Sequence, residues 1–191
     1  TAMKSKARSA TRSELEVLTD AVAEYFRDTG AFPSDLGELS VSPGVTGWSG
    51  PYIQAESVDP VSGNPESVVD AWSTPYAIAA VGSSGFKITS AGEDKTFGTV
   101  ADISRTLDVT PIRREKTLTV LRTVNQAITQ YNALYLPDSP LSTSYGTLLG
   151  QLVSTGFLPD TAPFAVDGWG DALVVDPPGL TPVVQVTSTH L

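Results

Sequence analysis

At 191 residues the chain can form one domain or two small ones, and a hydrophobic share of 40% is enough for a packed core. The absence of cysteine excludes a disulfide framework, a thiolate metal site and a cysteine nucleophile. A net charge of −9 argues against a nucleic-acid partner held through phosphates; no apolar run approaches the ~20 residues of a membrane helix, and no signal peptide is visible.

The first element spans Thr11 to Pro33. Leu15, Leu18, Val22 and Tyr25/Phe26 recur every three to four residues, which places them on one face of a helix. Gly30 suits a left-handed C-terminal cap, and Pro33 blocks resumption. Lys4, Lys6, Arg8 and Arg12 precede any acid. Two readings of this leader stand open. The helix starts near Thr11 or Ser13, with Ser13-x-x-Glu16 as a capping box, or it continues upstream through the basic residues.

Ser34–Leu39 reads as a short helix or turn, followed by a Gly/Pro/Ser-rich loop containing Trp48 and Tyr52. Trp48 and Tyr52 are expected to plug the core; a partner-binding patch is the weaker alternative. Asp70 to Tyr76 leads into a strand at Ala77–Val81. Gly82 to Gly85 is a hairpin signal, and Phe86–Ser90 is the returning strand. A polar loop covers 91–103, and residues 104–111 read as the boundary between two halves.

Beyond the boundary the plan restarts. Leu118, Leu121, Val124/Asn125, Ile128 and Tyr131 form a second stripe, ended by Pro137. Leu15, Leu18, Ala21, Val22 and Tyr25 match Leu121, Val124, Ala127, Ile128 and Tyr131 in order. Asp70-x-Trp72 matches Asp167-Gly168-Trp169, and Phe86–Ser90 matches Val184–Ser188. An ordered set of this kind points to a tandem duplication, with units expected at 1–108 and 109–191.

The first half resembles the major, G-type pseudopilin of type II secretion systems, within the type IV pilin superfamily. The resemblance rests on Thr11-Arg12-Ser13-Glu14-Leu15 and on Tyr25 to Pro33 at the helix end. It rests further on Asp70-Ala71-Trp72-Ser73-Thr74-Pro75-Tyr76, similar to the family's Asp-Pro-Trp-Gly-x-Pro-Tyr. Ser90 to Asp94 and Ala101-Asp102-Ile103 are similar to its terminal loop. It implies an α+β pilin-like fold, an N-terminal α-helix packed on a small antiparallel β-sheet, here written twice. It also implies an apolar upstream helical segment that anchors the subunit in the inner membrane and then packs in a filament, which favours the upstream-continuation reading of the leader.

The implied function is a structural subunit of a type II secretion or type IV pilus-type filament. The implied partners are other pseudopilins or pilins, further copies of itself and an inner-membrane assembly platform. The globular part would be periplasmic or part of an extracellular filament. The alternative is a minor pilin or pilin-like adhesin displaying the second unit to a carbohydrate or protein. The resemblance also implies calcium in the terminal loop, held by Asp94 and Asp102 with carbonyls near Ala91 and Thr99, an oxygen set of the kind Ca²⁺ prefers. Lys95 stands where the family has glycine, and Val100 where it often has an acid. The second half ends soon after its matching strand and is expected to have no such loop.

Catalysis is not expected. His190 is the one histidine and lies near the terminus, a poor base for a Ser-His-Asp site. No phosphate-cradling glycine motif occurs. Asp167-Gly168-Trp169-Gly170-Asp171 could be read as an acidic pair beside an aromatic in a sugar cleft; a turn with a Trp capping the sheet is the stronger reading.

Overall fold

The structure is a computed structural model that describes residues 2–54 and 57–191. Its contacts divide the chain into two compact units, Thr1–Val109 and Thr110–Leu191.

In the first unit a long helix, α1 (Ala2–Thr29), precedes an antiparallel sheet of order β1 (Ala77–Val81), β2 (Gly85–Ser90) and β3 (Ile103–Asp108). Helical periodicity puts Leu15, Leu18, Ala21, Val22 and Tyr25 on the sheet-facing side, where all are buried. Phe86, Ile88 and Ile103 close over them from the sheet. Each such side chain gains roughly 1.5–3 kcal/mol on full burial. Gly30, at φ 74°, ends the helix by donating its N–H to the Phe26 carbonyl at 2.8 Å. Asp35 then caps a 3-10 turn at Leu36–Leu39 through the Gly37 N–H.

Ser13 lies deep inside α1, so Ser13-x-x-Glu16 is no capping box and the leader residues Lys4 to Arg12 are helical. The stretch 104–111, expected as the boundary, contains the division at Val109 and Thr110 but is strand and helix rather than linker. Residues 103–108 are the third strand, paired along β2 from Ser90↔Ile103 to Gly85↔Asp108, and the second helix begins at Thr110. The strand's period of two was hidden by a charge on its inner face. Arg105 opposes buried Ile88, and its guanidinium reaches Glu16 of α1 at 3.3 Å.

One buried carboxylate fixes the sheet end of this unit. Asp70 accepts the N–H groups of Trp72 (3.0 Å) and Thr74 (2.9 Å) on one oxygen, and the Ser90 hydroxyl (2.5 Å) on the other. Thr11 of α1, also buried, accepts the Ala71 N–H at 3.3 Å. The turn is thereby held to both the helix and the end of β2. Trp48 and Tyr52 act as the expected plug. They pack edge to face, and the Trp48 indole N–H donates to the Glu38 carbonyl at 2.9 Å.

The second unit holds α2 (Thr110–Tyr135), α3 (Tyr145–Ser154), β4 (Val174–Asp176) and β5 (Gln185–Thr187). Its core joins Val120, Val124, Ala127, Ile128 and Tyr131 of α2 to Leu148, Leu149 and Leu152 of α3 and to Val175, Val183 and Val186. Leu118, expected in the stripe, is 42% exposed. The buried face runs through Thr117 and Val120 instead, which rotates the stripe away from Leu118.

Here too a buried aspartate ties the turn. Asp167 accepts the N–H groups of Trp169 (2.8 Å) and Asp171 (3.1 Å) on one oxygen and the Ser188 hydroxyl (2.7 Å) on the other. Thr117 of α2 accepts the Gly168 N–H at 2.8 Å. A Cβ on Gly168 would stand 2.0 Å from the Arg113 carbonyl oxygen, so this approach of turn to helix needs glycine. The register Val174↔Thr187, Val175↔Val186, Asp176↔Gln185 reproduces Ala77↔Thr89, Ile78↔Ile88, Ala79↔Lys87. Where the first sheet has its third strand, β5 meets a side chain. The Asn125 amide accepts the Val186 N–H (2.7 Å) and donates to the Val186 carbonyl (3.1 Å).

Candidate functional site

The terminal loop of the first unit, between β2 and β3, contains every residue expected to hold calcium. A left-handed Gly92 starts it, so close to the Ala101 carbonyl that a Cβ would stand 2.3 Å away. The loop's beginning and end therefore touch, with Ala91 buried beside that contact and Asp102 next to Ala101. Asp94 accepts the Thr96 N–H (3.1 Å) and the Thr99 hydroxyl (2.8 Å). Thr99 also accepts the Ala101 N–H on its hydroxyl and the Asp102 N–H on its carbonyl, at 3.1 and 3.3 Å. Asp102 accepts the Gly98 N–H at 2.8 Å on one carboxylate oxygen; the other is buried without a hydrogen-bond partner. A buried, unpartnered carboxylate oxygen is costly unless something compensates it. A hard cation is one such partner, so the donor set fits Ca²⁺. Lys95, in left-handed geometry at φ 55°, stands at the turn, and Lys4 of α1 pairs with Glu93 at 3.1 Å.

The second unit gathers Asp167, Asp171 and His190, with one ligand atom from each lying within 4.8 Å of the others. The group is closed by its own hydrogen bonds. Asp167 already takes three donors, and His190 Nε2 lies 2.7 Å from Asp171 while its ring stacks on Trp169 at 4.7 Å. His190 is thus held in place although it lies near the terminus. Its partners lie about twenty residues back, where no sequence spacing reveals them. Asp167 itself sits below the usual carboxylate range. Burial acts against this, but the Ser188 hydroxyl, the Trp169 and Asp171 N–H groups and the nearby His190 outweigh it. The site reads as a structural turn rather than a sugar cleft.

The outward side of α1 is the remaining candidate surface. Lys6, Arg12, Glu16, Asp20 and Glu24 are exposed along it. Among the described residues no helix is long and apolar enough to cross a membrane.

A long helix laid on a small antiparallel sheet, closed by a terminal loop, defines a pilin-like α+β fold. The family model for type II secretion system (T2SS) protein G matches residues 1–106, and the chain belongs to that family, the major pseudopilins. Searches of curated proteins and of solved structures gave no significant match. The family is a structural one.

Proposed function

We propose that the protein is the repeating subunit of a type II secretion pseudopilus, with its globular part in the periplasm. An apolar upstream continuation of α1 would anchor it in the inner membrane and pack in the filament. The observation that carries this reading is the family match over helix, sheet and terminal loop, joined to a helix that runs on past its core. The buried positions of α1 begin at Thr11, and residues 3–10 are exposed or half-exposed helix. Its partners are then further copies of itself, the other pseudopilins and the inner-membrane assembly platform. Removing the gene is expected to leave the secreted proteins of the host in the periplasm, and restoring it to release them. Unimpaired export without it would contradict the reading.

The second unit is a diverged copy of the first. This is supported by the matched strand register and by the two Asp–Thr–Ser ties, Asp70/Thr11/Ser90 and Asp167/Thr117/Ser188. Both ties use the same atoms in the same roles, which helical periodicity alone does not require. Calcium binds the terminal loop of the first unit through Asp94 and Asp102, with carbonyls near Ala91 and Thr99. The unpartnered Asp102 oxygen supports this. The ion would bridge the two ends of the loop and hold β3 against β2.

A further inference from the structure

Strand β1 lies at the edge of the first sheet, and the order β1-β2-β3 leaves one side of Ala77–Val81 without a strand. Natural edges are guarded by charge, proline or a bulge. β1 has none of these: it reads Ala-Ile-Ala-Ala-Val, pairs with β2 in unbroken register and is exposed at every residue but Ile78. In the second unit the Asn125 amide occupies the backbone of β5. Among the described residues no hydrogen bond other than those to β2 reaches Ala77–Val81. The chain begins a fourth strand here and abandons it. Val69 bridges Pro75 antiparallel, the Tyr76 N–H donates to the Val68 carbonyl at 3.1 Å, and a 3-10 turn at Glu66–Val68 ends the pairing. Backbone groups alternate along a strand, so the N–H and C=O groups of Ile78 and Ala80 share the open side that Tyr76 turns toward Val68. Beside this edge a cleft of about 370 Å³ is walled by Leu36, Val68, Pro75, Tyr76 and Ile78, with exposed Asp35 in its lining. Asp35 accepts the Gly37 N–H on one oxygen and makes no ion pair among the described residues.

We propose that β1 is a docking edge for an extended, basic segment of another protein, which adds to the sheet as its fourth strand. In this mode main-chain bonds supply affinity and pockets for alternate side chains supply specificity. The added strand bonds to Ile78 and Ala80 and so continues the pairing that Val68 and Val69 begin. An apolar side chain on its inward face fills the cleft, and a lysine or arginine meets the Asp35 carboxylate. Charge selects against a second copy as the occupant. From Ser73 to Ser84 this chain carries no charged residue, so its own β1 offers Asp35 no cation. Two copies joined through β1 would also close as a two-fold dimer. The edge is open in a single copy, so this docking does not depend on the pseudopilus reading.

The probe is a short capped peptide of alternating threonine and valine with a lysine at each end, added to the full chain. Hydrogen exchange at the Ile78 and Ala80 amides should slow in its presence, while exchange in β5 stays unchanged. An added strand turns only alternate peptide N–H groups toward the edge. Methylating one alternate set of peptide nitrogens should therefore leave binding intact, and methylating the other should weaken it about tenfold or more. Ala80→Pro removes an outward N–H without touching the β2 ladder, so it should keep the melting midpoint and lose the peptide. If that variant melts early, the two methylated peptides decide on the unaltered chain. Asp35→Asn keeps an acceptor for the Gly37 N–H and should weaken the lysine-ended peptide several-fold while leaving a threonine-ended one unchanged. Unslowed exchange at Ile78 and Ala80, or equal binding by both methylated forms, would overturn the docking edge. Equal affinity for the lysine-ended and threonine-ended peptides would overturn the basic partner. A dimer of the free chain that Ala80→Pro dissolves would make a second copy the occupant and overturn the choice of another protein.

Discussion

Asp167→Ala is expected to destabilise the second unit by about 3 kcal/mol or more, since each buried donor left without its acceptor costs about 1–3 kcal/mol. The variant strands the N–H groups of Trp169 and Asp171 and the hydroxyl of Ser188 together, at a site where Asp167 is 1% exposed. For a unit of this size the loss corresponds to a fall of about 12 °C or more in its melting midpoint. Asp70→Ala should do the same to the first unit, because Trp72, Thr74 and Ser90 lose the same three bonds. The dependence on pH follows from the direction of the Asp167 shift. Its carboxyl lies below its unfolded value, so its contribution is complete above that value, about 3.9, and disappears as pH falls through the lower, folded one. Asp167→Asn keeps an acceptor for the two N–H groups and removes the titration. It should therefore cost less than alanine and flatten the acid limb of the second unit's stability. Thermal and acid unfolding of the three variants check this, and an unchanged midpoint in Asp167→Ala would contradict the tie.

Calcium should raise the melting midpoint of the first unit, and a chelator should reverse the rise. A ligand that binds only the folded state stabilises it by about 2.7 kcal/mol when present at 100 times its dissociation constant. Asp102→Ala removes the buried carboxylate and should abolish the calcium-dependent part of the midpoint. Asp94→Ala should weaken it, since the Thr99 hydroxyl loses the acceptor that folds the loop's centre. No shift at millimolar free Ca²⁺ in the unaltered protein would remove the site. A shift that survives Asp102→Ala would place the ion elsewhere.

Much of this architecture was legible because apolar periodicity is a local signal. The burial of Leu15, Leu18, Val22 and Tyr25 and the Gly82–Gly85 hairpin follow from spacing and turn chemistry alone. The features that were not legible depend on partners distant in sequence. Strand β3 was hidden because Arg105, on an inward position, is satisfied by Glu16, 89 residues earlier. Helix α3 was missed although Tyr145, Leu148, Leu149 and Leu152 carry a helical spacing that could have found it. Asp70 and Asp167 were readable as turn formers. That each reaches a serine twenty or twenty-one residues on, and so fixes a strand end, emerges only from the fold. In the terminal loop it was the resemblance to the family, not the residue pattern itself, that pointed to Asp94 and Asp102. The unpartnered oxygen of Asp102 is a property of burial, which spacing does not carry.

Assembly of this chain into a filament is the property on which its proposed role rests. The most direct measurement is electron microscopy of material sheared from cells that overproduce the intact gene product, labelled with antibody against the second unit. Filaments decorated at regular intervals along their whole length are the predicted result. Filaments labelled only at one tip, or none that contain the chain, would contradict it.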